Sequence, residues 1–165
     1  MSDVEFGAEV RKSAISNFIF NTAINGGLTL WLMGGSEVLS MWTEPAFGPD
    51  LIATGFILSA IVSAIVMEIH RRKAVTGVMA PVPLTSSVLQ RISTQNRWVG
   101  CSAFGVAGAL ASVVALGVVG LLANSMSLEA YAVVKGLWTG TLAAAIVLPA
   151  TLLGLHLGGK QGASA

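Results

Sequence analysis

Charge is absent from four long stretches of this chain, and those stretches predict its elements. Ser13 to Ser36 runs 24 residues without a charged side chain, Leu51 to Met67 runs 17, Trp98 to Leu128 runs 31, and Gly136 to Gly159 runs 24 with His156 inside it. A helix that crosses a bilayer needs about 20 mostly apolar residues. The pattern therefore predicts four spanning helices at about 13–34, 49–70, 98–122 and 132–157. The second is the shortest, bounded by Asp50 and Glu68, and is expected near the bilayer normal. This leaves one membrane domain over 13–157, with a short N-terminus (1–12), one middle loop (71–97) and a C-terminal tail (158–165).

Composition agrees with that pattern. Of 165 residues, 54% are hydrophobic and only 10% charged, and the mean hydropathy is +0.78. A soluble domain carries about 25% charged residues. An ordinary cytoplasmic domain, a disordered tail and a nucleic-acid binder with a basic face are all excluded. Nine Lys and Arg against eight Asp and Glu give a net charge of +1, which implies no general polyanion partner. Cys101 is the single cysteine, so no intramolecular disulfide and no thiol metal pair is available. Asp3, Glu5 and Glu9 ahead of Arg11-Lys12, and the length of the apolar run, are unlike a cleavable signal peptide.

The distribution of Lys and Arg sets the expected orientation. Arg11 and Lys12 precede the first predicted helix; Arg71, Arg72, Lys73, Arg91 and Arg97 lie between the second and third; Lys160 follows the fourth. Only Lys135 falls on the other side, where Glu37, Glu44, Asp50 and Glu129 collect. Both termini and the middle loop are thus expected in the cytoplasm. Trp31, Trp42, Tyr131 and Trp138 are expected as anchors at the outer interface and Trp98 at the inner one. In the loop, Pro81-Val-Pro83 blocks helix continuation. Beyond it, Leu84, Val88, Leu89 and Ile92 fall on one face, which suits a short helix on the inner leaflet with Arg91 and Arg97 at the headgroups. A floppy linker is the competing expectation.

Sliding the chain by 85 residues lays Asp50-Leu-Ile-Ala-Thr54-Gly55 over Lys135-Gly-Leu-Trp-Thr139-Gly140. The same offset aligns Ala60-Ile61-Val62 with Ala145-Ile146-Val147, and Lys12 with Arg97. Two duplicated, parallel hairpins with an axis along the membrane normal would give this pattern.

The chemistry-bearing residues are few. Asn17, Asn21 and Asn25 share one face of the first helix at successive i+4 spacing, flanked by Ser13 and Thr29. Burying carboxamides in hydrocarbon is costly, so this face must look at helices or at water. As polar glue, the amides would bond to Ser59, Ser63, Thr139 or backbone carbonyls. As a path, they would line a route for water, a small neutral solute or an ion. Gly26 and Gly27 beside Asn25, and Pro149 in the last helix, are places where the backbone could open; close packing and an ordinary proline kink are the plainer expectation. Gly55, Ser59 and Ser63 form a small-residue row in the second helix. Cys101, Gly105 and Ala109 form another in the third, where Gly108 and Ser112 begin one more. Asp50 and Lys135 occupy matching outer helix ends and are expected to pair, against independent hydrated ends. Glu68, His70, Cys101 and His156 fall at one inner level. A metal or proton site there competes with ordinary interfacial histidines, and no ligand pair has i, i+4 spacing.

No enzyme is expected. Asp50 and Glu68 lie about 27 Å apart along one helix, too far for an acid–base pair. The chain has no CxxC, HExxH, nucleophile elbow or phosphate-binding loop, and nothing calls for a cofactor. Asn21-Thr-Ala-Ile-Asn25-Gly26, Asp50-Leu-Ile-Ala-Thr54-Gly55, Arg71-Arg72 and Lys135-Gly136-Leu-Trp138 resemble a set of uncharacterised bacterial four-helix integral membrane proteins, sometimes loosely labelled permeases. The resemblance implies an all-α four-helix transmembrane bundle in a bacterial cytoplasmic membrane, and no substrate. Two functions are expected to compete. One is an oligomeric permease or channel-like protein whose path is lined by the Asn row. The other is an accessory or scaffolding subunit whose polar and small-residue faces dock other membrane helices. Membrane lipids, further copies of the chain or other membrane subunits are the expected partners, and nucleic acid is not.

Overall fold

The uncharged runs fold as helices, and the helices outlast them. The computed structural model describes residues 3–95 and 97–162. Among these the fold is all-α, with five helices: α1 (Asp3–Leu32), α2 (Phe47–Val75), α3 (Ser87–Ser93), α4 (Arg97–Leu122) and α5 (Leu128–Gly162). Two three-residue strands, β1 (Val38–Ser40) and β2 (Ser125–Ser127), complete it. Three helices, α2, α4 and α5, are long and apolar enough to cross a membrane. Asn17, Asn21 and Asn25 dilute the apolar character of α1.

The helix ends differ from the run ends for local reasons. Hydropathy marks where hydrocarbon is tolerated, whereas the backbone ladder stops where propensity or a cap stops it. Thus α1 begins at Asp3, ten residues ahead of the uncharged run, through the helix formers Ala8, Glu9, Arg11 and Lys12. The basic Arg72 and Lys73 complement the C-terminal dipole of α2, which ends at Val75 with Thr76 as its C-cap, before Gly77 at φ +73°. Ser127 Oγ accepts from the Ala130 amide at 3.2 Å and starts α5 four residues earlier than expected. Pro149 lies inside α5, which continues past it to Gly162.

The helices pack α1 on α5, α5 on α2, and α2 on α4, so α5 and α2 form the central pair. Glycines set the approach. A methyl group added at Gly55 would lie 2.1 Å from Ser112 Oγ and 2.9 Å from the Gly108 carbonyl oxygen. One added at Gly140 would lie 2.1 Å from Thr22 Oγ1 and 2.7 Å from the Phe18 carbonyl oxygen. The same contact is built twice. Gly55 and Gly140 are 85 positions apart, but their partners Ser112 and Thr22, like Gly108 and Phe18, are 90 apart. The helix ends Leu32 and Leu122 keep the 90-residue offset. The expected match of Lys12 with Arg97 at offset 85 does not follow the offset of these contacts, because the register from α1 to α2 is five residues longer than that from α4 to α5 (90 less 85).

At the end carrying both hairpin connections, β1 and β2 pair antiparallel, with Leu39 opposite Met126. Leu39, Phe47, Leu51, Leu116 and Tyr131 form a buried cluster beneath them. At the other end the loop after α2 folds back. Leu84 is buried, and Leu89 and Ile92 pack against the cluster of Val62, Val66, Met67 and Leu153, while Val88 is 65% exposed. Ser86 caps α3, and α3 rests on α4 and α5. The expected short helix is present as α3, with Leu89 and Ile92 half-buried against the bundle and Val88 exposed. The side chain of Arg97 lies outside the described residues.

The surface inverts the usual arrangement. Ile57, Ile61, Ile65 and Ile69 run down the outside of α2, and Val106, Leu110, Val114 and Val118 down α4. Ser59, Ser63, Ser112, Thr139 and Thr151 are fully buried. Apolar outside and small or polar inside is the distribution expected where lipid surrounds the helices.

Candidate functional site

The Asn row closes on its own helix. Asn17 Nδ2 donates to the Ser13 carbonyl oxygen (2.9 Å), Asn21 Nδ2 to that of Asn17 (2.8 Å), and Asn25 Nδ2 to that of Asn21 (3.0 Å). Thr29 Oγ1 continues the series to Asn25 (2.7 Å). Only Asn21 and Thr29 of this row are buried. Back-bonding of this kind engages one N–H of each carboxamide without a second helix. Ser59 and Ser63 do not meet the row: Ser63 Oγ donates to Ala60 in its own helix (2.9 Å), and Ser59 Oγ sits against Gly108. The tie to α5 comes from Thr139, whose hydroxyl lies 3.3 Å from the Asn21 carbonyl oxygen and 3.0 Å from that of Gly136. Gly26 packs on α5, where a methyl group would stand 3.2 Å from the Ala132 carbonyl oxygen. Gly27 has nothing within that reach, and α1 runs unbroken through both.

At the strand end, Lys135 Nζ lies 2.6 Å from Asp50 Oδ2. The Tyr131 hydroxyl donates to the same oxygen at 2.5 Å and lies 3.2 Å from the Phe47 carbonyl oxygen. Tyr131 is fully buried and its ring packs on Phe47 at 5.3 Å between centroids. Of the expected anchors Tyr131 is internal, while Trp138 is half-buried, with its Nε1 donating to Ser112 Oγ at 3.0 Å. Trp31, Trp42 and Trp98 are exposed. Tyr131 sits one helical turn before Lys135, a spacing that flags it once a charge pair is suspected. The Gly136-xxx-Gly140 row is the corresponding signal for the α1–α5 contact.

The other end holds two openings. Glu9, Ser13, Asn17, His70 and Lys73 line a crevice of about 180 Å³ between α1 and α2. Lys73 is ion-paired with Glu9, and its ammonium holds the Glu9 carboxyl below the usual carboxylate range. The second opening, about 410 Å³, lies among α2, α4 and α5 and is lined by Glu68, Arg71, Cys101 and Lys160 among others. The four residues of the inner level are divided between these surroundings. Glu68 and Cys101 face the larger cavity, and His70 Nδ1 bonds the Val66 carbonyl oxygen (2.9 Å) beside the crevice. His156 Nδ1 lies 3.3 Å from the Val82 carbonyl oxygen. Among the described residues no group of three His, Cys, Asp or Glu is placed to hold a metal ion.

Comparison of the chain with protein-family models, with curated proteins and with solved structures finds no match.

Proposed function

We propose that this chain is a four-helix integral membrane protein of a bacterial cytoplasmic membrane, built from two duplicated hairpins with both termini inside. It acts without catalysis, as an accessory or scaffolding subunit that associates with other membrane helices. One observation carries this reading: each carboxamide that would line a path turns back and donates to a carbonyl of its own helix. The helix contacts in the bundle interior are made by glycines against hydroxyl side chains and backbone carbonyls. The repeated Gly55 and Gly140 contacts support the duplication, and the Lys and Arg bias supports the orientation. A groove of about 770 Å³ between α4 and α5, walled by Ala111, Val114, Ala115, Val118 and Leu137, has the small apolar lining that suits a neighbouring helix.

The test is native mass spectrometry of the protein extracted mildly from its own membrane. A stoichiometric complex with another membrane protein is expected. A second reading, a small-solute permease with its path between protomers, draws on the polar crevice that includes Asn17. A partner-free homo-oligomer whose solute flux falls on Asn21→Leu, with assembly intact, would replace the first reading by the second.

A further inference from the structure

α1 and α2 each pack on α5 rather than on each other, and at the end away from the strands they leave the crevice of about 180 Å³ between them. One water needs only about 10–15 Å³ of such space, whereas drug-sized ligands take ~300–1,000 Å³. The crevice therefore suits an occupant of a few heavy atoms. From Glu9 to Asn17 it follows α1 for about 12 Å.

Its polar groups are only partly used. His70 is 4% exposed, and its Nδ1 bonds the Val66 carbonyl oxygen, so in the neutral ring Nδ1 carries the proton and Nε2 the lone pair. Among the described residues Nε2 has no hydrogen-bond partner, yet it is not sealed off, and the space that His70 borders is this crevice. A largely buried acceptor of this kind calls for a donor from an occupant. Asn17 spends one N–H on the Ser13 carbonyl oxygen and keeps its Oδ1 and second N–H. The Ser13 hydroxyl is likewise unengaged.

Charge narrows the class. Glu9 and Lys73 neutralise each other at one end of the crevice, and they keep a second carboxylate oxygen and further N–H groups for an occupant. A cation here meets the Lys73 ammonium, and an anion meets the Glu9 carboxylate. A neutral solute meets neither penalty. Its O–H or N–H groups can donate to His70 Nε2 and Asn17 Oδ1, and its oxygen can accept from Lys73 or Ser13. Val62 and Val66, both buried, and the more exposed Ile65 and Ile69 wall the remainder with hydrocarbon.

We propose that this crevice binds a small uncharged solute rich in hydrogen-bond donors, of the polyol or amide class, with one donor on His70 Nε2. Its role in the cell rests on the permease reading, for which it names the solute class, whereas binding is measurable without flux.

His70 and His156 are the only histidines, so nitrogen-15 histidine labelling of the full-length protein reports on two places alone. The protein in neutral detergent at about pH 8, where an ordinary imidazole is neutral, is titrated with glycerol, urea, methylammonium, acetate and the zwitterion glycine. Glycerol or urea is expected to shift the His70 Nε2 resonance saturably in the millimolar range, with His156 unmoved. The tighter of the two identifies a polyol or an amide. Asn17→Leu and Ser13→Ala should each weaken binding about fivefold, with helical circular dichroism unchanged. No saturable shift with either solute, which leaves water as the occupant, overturns the proposal. So does equal binding of methylammonium, acetate or glycine, or unaltered affinity in both variants. Binding without flux into vesicles would keep the site and remove the permease reading.

Discussion

Asp50 and Lys135 stand 85 positions apart in the chain and 2.6 Å apart in the fold, joined across the central helix pair α2 and α5. The lysine is nearly buried and the aspartate is partly so, with the Tyr131 hydroxyl on the oxygen that Lys135 uses. Removing one partner strands the other charge in a poorly solvated place, at a cost of about 3 kcal/mol. Asp50→Asn and Lys135→Met should each lower stability by that order, and the double variant by clearly less than the sum. Unfolding of the four proteins in mixed detergent micelles measures the coupling. Additive losses would mean that the two groups act independently.

The paired glycine contacts predict paired consequences. Gly55→Ala and Gly140→Ala each place a methyl group 2.1 Å from a hydroxyl oxygen of the facing helix. The helices must part, costing about 1–3 kcal/mol at each site. Gly27→Ala meets nothing within 4 Å and should instead gain up to ~1 kcal/mol of helix propensity. The same unfolding assay ranks the three, and an Ala variant at Gly55 or Gly140 as stable as the parent would contradict this packing.

Ser59 Oγ is buried and, like Thr22 Oγ1, has no hydrogen-bond partner. A hydroxyl that is desolvated without a bond contributes nothing favourable, so Ser59→Ala should leave stability equal or raised, within about 1 kcal/mol. A loss of several kcal/mol would show that the hydroxyl is paired in the membrane.

Glu9 ties the start of α1 to Lys73 near the end of α2. Its carboxyl is held below its ordinary value chiefly by the Lys73 hydrogen bond. The stabilisation is therefore present above the ordinary carboxylate range and is lost as pH falls through the folded-state value. About a third of each side chain is exposed, which limits the effect to below ~1 kcal/mol. Thermal midpoints of the parent and of Glu9→Gln should differ at pH 7 and converge as the pH drops toward 3. A gap that persists in acid would assign the effect to something other than this pair.

The sequence by itself determined where the long helices run, because backbone hydrogen bonds in a helix are local and a charge in hydrocarbon is costly wherever it falls. The i+4 row of Asn17, Asn21 and Asn25 was legible for the same reason, as was the matching placement of Asp50 and Lys135 at helix ends. Tertiary structure alone decided what those residues touch. That Tyr131 is internal and that Leu84 is buried while Val88 stays exposed depend on which segment faces which. The likeness of the Gly55 and Gly140 contacts was not legible at one fixed offset, since the glycines are 85 positions apart and their partners 90. The three-residue strands and the cavity under α3 have no periodic signature at all. They arise where segments remote in sequence meet, and that meeting is set by the close approach of Gly55 and Gly140 to the helices opposite them.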